Sequence, residues 1–410
     1  MGTHIAYFFS CFPQISTTFL QREVRAIRSQ GLSPVLIANR PPASGEYHPT
    51  DQDLLDQTFY LATASPLFYL KAHLKKIFIS PRRYAKGLAS VFLLRDKQFP
   101  GLIFKNIIRF IGAIALTAYL EEKKISHIHV HFAFGAAGVA LFLKAVSDIT
   151  YSISIHGSDV LLPQPLTGEK LQQARFIISN CRFHIQNLID RYPFLANQHF
   201  YPIYLGVDTS SKFWAGPSKV TDEGMLLRIL NVAMLKPVKG HDILLHACSK
   251  LQKESVRFNC RIVGEGPERI KLEKLINQLN LNDSIELLGR CYENDVSNQY
   301  DWSHITVLSS YSEGTPMAII EAMMKGRPVV APRITAIPEM IVEGENGLLF
   351  TKASADDLAA KLAVFSEKPE LITSMGKKGR KRAESLFDLR QNAQKMIAVF
   401  NKNIEIAENT

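Results

Sequence analysis

Short, nearly continuous apolar runs alternate along this chain with longer stretches whose apolar residues recur at helical spacing. Before residue 206 the runs predict strands at 5–10, 34–38, 59–62, 128–134, 151–155, 176–179 and 201–205, with helices between them such as 18–30 and 136–146. Thr18 followed by Gln21 reads as a capping box for the first of these helices. A second series predicts strands at 229–233, 261–263, 285–288, 305–308, 328–331 and 347–350, again separated by helices. Strands that are apolar on both faces and joined through helices belong in parallel sheets covered on both sides. The polar, Gly- and Pro-bearing stretch 206–224 divides the two series. The expected organisation is α/β, with two doubly wound Rossmann-like domains at 1–205 and 225–387, a linker at 206–224 and a last helix at 388–410.

Ligands of open parallel sheets sit beyond the carboxyl ends of the strands, and the candidate chemistry falls there. The block SSYSEGTPMAIIEAMMKGRPVV, from Ser309, follows a strand-like run with a polar turn and then a helix expected at 315–325. Pro316 suits a first helical turn, where a missing N–H costs nothing. Free amides around Gly314, Thr315 and Met317, with the helix dipole behind them, favour an anion such as a diphosphate. Glu313 stands at the edge of that pocket, and Glu321 lies farther along the helix, where a carboxylate can accept hydrogen bonds from sugar hydroxyls. The same residues also suit a capped amphipathic helix with a surface Glu pair.

Composition narrows the class. Five cysteines, widely spaced and without a C-x-x-C pair, indicate neither a disulfide framework nor a zinc site and fit a reducing, cytoplasmic location. The first residues read as a buried strand and not as an export signal. Charge is uneven: residues 1–205 carry 21 Lys+Arg against 12 Asp+Glu, whereas the rest carries 27 against 26. Within 66–120 there are ten basic side chains and one acidic one, Asp96, interleaved with large apolar residues at helical spacing. Such basic amphipathic helices attract anionic headgroups, so peripheral contact with an anionic membrane is expected; the alternative is ordinary helices with solvated basic faces. The longest uncharged stretch there, 110–120, is too short to span a bilayer. No nucleic-acid module accompanies the basic residues, and nucleic acid is not expected as a partner.

The Glu313 to Glu321 spacing, with GRPVV and ENGLLF downstream, resembles the E-x7-E signature of the retaining glycosyltransferases of family 4. The likeness runs along nearly the whole chain, including HIHVHFAF and the opening FFSCFPQISTTFLQREVRAIRSQG, which resemble an exopolysaccharide and colanic-acid-type branch. The resemblance implies the GT-B fold, with two domains facing across a cleft and a C-terminal helix crossing back to the first. It implies a hexosyltransferase-type enzyme using a nucleotide-diphosphate sugar, with a glycan or lipid-linked acceptor; the cysteine content and the basic segment add the expectation that it works at the cytoplasmic face of the membrane. Glu321 would hold the ribose, Glu313 would lie by the donor sugar, and the amides between would bind phosphate. KPVKG supplies Lys239 for the diphosphate, but Ala233 and Met234 stand where that pattern has Gly and Arg, and Met offers no donor. IHGSD supplies His156 for the donor-sugar pocket; on residues alone Gly157 is equally a turn and Asp159 a helix cap. His156 and Glu313 are thus the catalytic candidates. The branch commonly has Ser-Glu-Thr where Ser16, Thr17 and Thr18 stand.

Gly264 and Gly266 in VGEGPE lack the third glycine of a dinucleotide fingerprint and resemble the family loop that lines the nucleotide side. His127, His129 and His131 alternate on one strand, about 7 Å apart, too far for a compact chelate. Asp51 and Asp53 read as solvated. No metal site and no cofactor are expected.

Overall fold

The computed structural model describes residues 5–96, 98–210, 226–291 and 293–404. Beyond Ser210 the expected linker lies outside these residues, as does Lys97 of the basic segment. The chain divides into two compact units, one containing the described residues up to Gly206 together with those from Leu389 onward, the other running from Val207 to Asp388.

The first unit is built on a seven-stranded sheet of β1 (Ile5–Cys11), β2 (Val35–Arg40), β3 (Thr58–Tyr60), β4 (His127–His131), β5 (Thr150–Ile155), β6 (Ile177–Ser179) and β7 (Phe200–Pro202). Their order is β3-β2-β1-β4-β5-β6-β7, and every pair is parallel. The pleat of β1 sends Phe8 into one core layer with Ile128 and Val130, and Tyr7 and Phe9 into the other with Met396 and Phe400 of the helix Leu389–Ile404. Helices close each layer, so the central strands β1, β4 and β5 are buried on both faces.

On β4 the three histidines share the Tyr7 face, buried and clear of solvent. His127 and His129 bond through both ring nitrogens to hydroxyls of β5, namely Thr150, Ser152 and Ser154, at 2.7–2.8 Å. These contacts lace two adjacent parallel strands together by side chain as well as backbone.

The second unit carries a six-stranded parallel sheet of β8 (Leu227–Val232), β9 (Phe258–Val263), β10 (Ile285–Gly289), β11 (Ile305–Val307), β12 (Val329–Pro332) and β13 (Gly347–Phe350), in the order β10-β9-β8-β11-β12-β13. Leu227, Ile229, Ile262, Ile305 and Val330 anchor its core.

Several local expectations are corrected. The first helix is Thr18–Ser29, and the Thr17 side chain at its N-cap bonds back to the Gln14 carbonyl and not to a helix amide; the Gln21 amide also donates to the Gln14 carbonyl, at 2.8 Å, so no capping box forms. Asp51 is buried and paired with Arg25 at 2.7 Å, not solvated, while Asp53 is exposed and joins the same guanidinium. The segment 66–120 forms the helices Pro66–Ile79, Pro81–Leu93 and Leu102–Glu122. The last of these is long and apolar enough, by length and composition alone, to cross a membrane, although half of its most apolar window is buried in the fold. Fourteen of the twenty-one large apolar side chains exposed among the described residues fall between Leu67 and Ile111, so these helices are only partly covered by their own unit.

Candidate functional site

In the second unit, the carboxyl ends of β8, β9 and β11 bring together most of the residues singled out from the sequence. The loop after β8 turns through Pro237–Lys239 into the helix His241–Lys253. Gly240 takes the turn with φ +60°, and a Cβ there would lie 2.2 Å from the Ser309 carbonyl oxygen, so only glycine fits. That close approach, with the Ser309 hydroxyl bonded to the Lys239 carbonyl at 3.1 Å, sets Lys239 beside the chain leaving β11.

Lys239 Nζ meets Glu313 Oε1 at 2.7 Å, and the Ser310 hydroxyl donates to the same oxygen at 2.5 Å. Glu313 is buried and Lys239 partly so, which strengthens a charge-assisted contact relative to one at the surface. Gly314 and Thr315 follow in a bend. Among the described residues no protein acceptor meets the amides of Gly314, Thr315 or Met317, and the buried Thr315 hydroxyl is unpartnered as well. The helix begins at Met317, two residues later than its expected start; Pro316 is its N-cap, extended at φ −72°, ψ 112°, and not part of the first turn. A proline there withholds no needed donor, and its buried ring separates the two parts of the amide row.

Glu321 is the fifth residue of the helix Met317–Met324. The Tyr300 hydroxyl donates to Glu321 Oε2 at 3.1 Å and lies 3.2 Å from the Ala318 carbonyl. Burial, reinforced by that carboxylate, holds the Tyr300 phenol well above its ordinary pKa, so it stays a neutral donor. Tyr300 is itself fixed by the buried Arg327 of GRPVV, whose Nε donates to the Tyr300 carbonyl at 2.9 Å. Neither Tyr300 nor Ser310 stood out in the sequence, because no spacing rule links a tyrosine to a glutamate twenty-one positions on.

The glycines of VGEGPE are required by packing. A Cβ on Gly264, at φ +148°, would lie 1.9 Å from the Ala233 carbonyl oxygen, and one on Gly266 would lie 2.4 Å from that of Leu235. The amide of Leu235 bonds to the Glu265 carbonyl, which sews the ends of β8 and β9 together. Met234, on this seam, is 55% exposed.

His156 belongs to the first unit, at the end of β5, in the N-cap position of the helix Gly157–Leu161. The Asp159 carboxylate accepts from the amides of His156 and Ala133, both at 2.8 Å, so Asp159 is the cap that holds this turn. The His156 ring packs on Phe19 and Phe132, and neither nitrogen has a protein partner among the described residues. Burial, with His184 nearby, pushes its pKa down to about 3, leaving a neutral imidazole with one donor and one acceptor for a hydroxyl-bearing ligand. It lines a small cavity with Glu23 and Asn180, neither of which the sequence reading flagged.

Residues 218–382 match the family described as glycosyl transferases group 1. An uncharacterized glycosyltransferase of Methanocaldococcus jannaschii is 29% identical over 269 residues, covering 64% of this chain and 71% of that protein. The putative colanic acid biosynthesis glycosyltransferase WcaL of Salmonella typhimurium is 38% identical over 149 residues, 35% of this chain and 37% of that protein. The chain thus matches less than half the length of the second relative. Among solved structures, Anabaena HepE in complex with UDP superposes with a TM-score of 0.68 at 15% identity, covering 97% of this chain and 100% of that one; the same protein has also been solved with UDP and glucose. Residues 218–382 thus belong to the group 1 glycosyltransferases, and the two parallel sheets, with the likeness to HepE along nearly the whole chain, give the chain the GT-B fold.

Proposed function

We propose that this protein is a retaining glycosyltransferase that moves a sugar from a nucleotide-diphosphate donor to a glycan or lipid-linked acceptor in cell-surface polysaccharide synthesis. The observation that carries the reading is the convergence of one cation, Lys239, two carboxylates, Glu313 and Glu321, and the unpartnered amides of Gly314, Thr315 and Met317 at one sheet edge. The name of WcaL and the UDP held by HepE support it. Lys239 and the amides stabilise charge on the leaving diphosphate, and Glu321 takes the ribose hydroxyls. His156 and Glu313 address the donor sugar. In the retaining reaction the acceptor oxygen bonds to the anomeric carbon as the carbon–oxygen bond to diphosphate breaks, and the acceptor proton passes to the departing phosphate. This scheme draws its positive charge from the chain and requires no metal or cofactor.

The protein acts at the cytoplasmic face of the membrane in this proposal, held there peripherally. The exposed apolar side chains between Leu67 and Ile111, interleaved with Lys71, Lys75, Arg82 and Lys86, support that placement.

The test is binding and hydrolysis of UDP-, GDP- and ADP-sugars by wild type and by Glu321→Ala. Turnover or tight binding that disappears in the variant is expected, and binding of no donor at all would overturn the reading. A second reading, a partner protein that binds donor without turning it over, is favoured by Met234 at the β8–β9 seam. A protein silent both as wild type and as Met234→Arg, yet binding donor, would establish it.

A further inference from the structure

The largest cavity among those described lies in the first unit, apart from His156. It measures about 830 Å³, within the range of roughly 300–1,000 Å³ that holds small organic ligands. Its floor is the carboxyl edge of three neighbouring strands, with Ser10 of β1 and Asn39 and Arg40 of β2, then Leu61 just past β3. In open α/β sheets this edge is where ligands bind. The helix Leu102–Glu122 forms a wall with Lys105, Ile108, Arg109 and Gly112, which share one helical face.

Two features define what this cavity would accept. Its lining is mostly carbon, including Leu61, Tyr69, Ile108 and Val139, yet three cations reach it: Arg40, Lys105 and Arg109. None of the three is in an ion pair among the described residues; Arg40 reaches only a backbone oxygen, and Arg109 donates to the Asn106 side chain at 3.1 Å. Arg109 is largely withdrawn from water, and its stem lies where a side chain on Gly138 would be, since a Cβ there would fall 2.4 Å from Arg109 Nε. A partly buried guanidinium without a carboxylate is costly unless an anion completes it. The mouth is apolar too: Ile108 is 70% exposed and Ile111 39%, and both continue the exposed stripe of Ile103, Phe104 and Ile107 on the same helix.

We propose that this cavity binds a single-chain lipid phosphate or diphosphate, with the phosphate on Arg40, Lys105 and Arg109 and the hydrocarbon chain leaving along Ile108 and Ile111. Charge complementarity selects the head group, and the apolar lining selects the chain. As the lipid-linked acceptor the ligand rests on the glycosyltransferase reading above; as a bound ligand it does not.

The probe is farnesyl phosphate below its micelle concentration, titrated against the full chain by calorimetry beside farnesol and inorganic phosphate. Head and chain together should bind at least about tenfold more tightly than either alone. Arg109→Gln should weaken binding by about tenfold or more, the loss of one charged contact. Gly112→Leu tests the cavity independently, because it adds a side chain on the lining face and improves helix propensity; it should abolish farnesyl phosphate binding with an undiminished melting temperature. Farnesyl phosphate that binds no better than farnesol, or equally well to both variants, overturns the proposal, as does adsorption to two-chain anionic vesicles without farnesyl phosphate binding. Donor titration of the same samples separates the two readings: donor binding without lipid phosphate binding sinks the cavity alone, and the reverse sinks the transferase.

Discussion

Lys239 and Glu313, seventy-four positions apart in the chain, form a 2.7 Å ion pair that Ser310 completes. Their pairing means that the cation proposed for the donor diphosphate is already engaged with the carboxylate proposed for the donor sugar. Lys239→Met should therefore do two things. It should raise the dissociation constant for a nucleoside diphosphate by about tenfold to a hundredfold, the scale of one charged contact, and it should cost about 1–3 kcal/mol of stability by leaving Glu313 buried without its cation. Nucleotide titration and urea denaturation measure the two separately.

Tyr300→Phe removes the donor that orients Glu321 and leaves the ring packed. Loss of about 1 kcal/mol of positioning should raise the donor KM several-fold with kcat nearly unchanged. A fall in kcat at constant KM would show that Tyr300 acts otherwise.

Gly240→Ala forces a Cβ against the Ser309 carbonyl at a positive φ. The strain should exceed about 1 kcal/mol, visible as a lower urea midpoint, and should loosen the Lys239 turn so that donor affinity falls with it.

Burial lifts the Glu23 carboxyl to about 8, with the neighbouring Tyr7 hydroxyl offsetting part of the shift. The folded protein then keeps a proton that the unfolded chain releases near 4.5, so this group withdraws stability as pH rises from about 4.5 to 8. Glu23→Gln should gain on wild type across that window and show no relative gain below it, as followed by urea midpoints at successive pH values.

The histidines act in the opposite sense. His127 and His156 are each held down to about 3 by burial, and His129 and His131 well below their ordinary value. The unfolded chain takes up these protons near 6.5 while the folded one does not, so stability is fully present above about 6.5 and is lost as pH falls. Midpoints should drop steeply between pH 6.5 and 4, and His127→Gln should shallow that slope.

Much of this architecture was legible beforehand, for a physical reason. Strands buried on both faces appear as unbroken apolar runs, and all thirteen observed strands overlap runs read from the sequence, with ends displaced by a few residues. What the pattern could not show is contact at a distance. A 3.6-residue period places Glu321 on a helix but does not say that Tyr300 will meet it. The Thr18–Gln21 spacing is that of a capping box, yet the Gln21 amide found the Gln14 carbonyl instead. Likewise the spacing in 66–120 foretold amphipathic helices, but which side chains stay uncovered depends on the rest of the unit. Hence the cavity beside Arg109 was invisible until the helix and strand ends were placed together.

The helix Leu389–Ile404 packs Phe400 against Tyr7 and His129 in the core of the first unit, although the whole second unit intervenes in the chain. A ribosome emits the amino-terminal sheet first, so that sheet emerges with one core layer missing its last helix. The second unit, continuous in sequence, can close while the first still waits. The first unit can therefore be completed only after Leu389–Ile404 has been made, and until then the Tyr7 face of the early sheet lacks the helix that covers it.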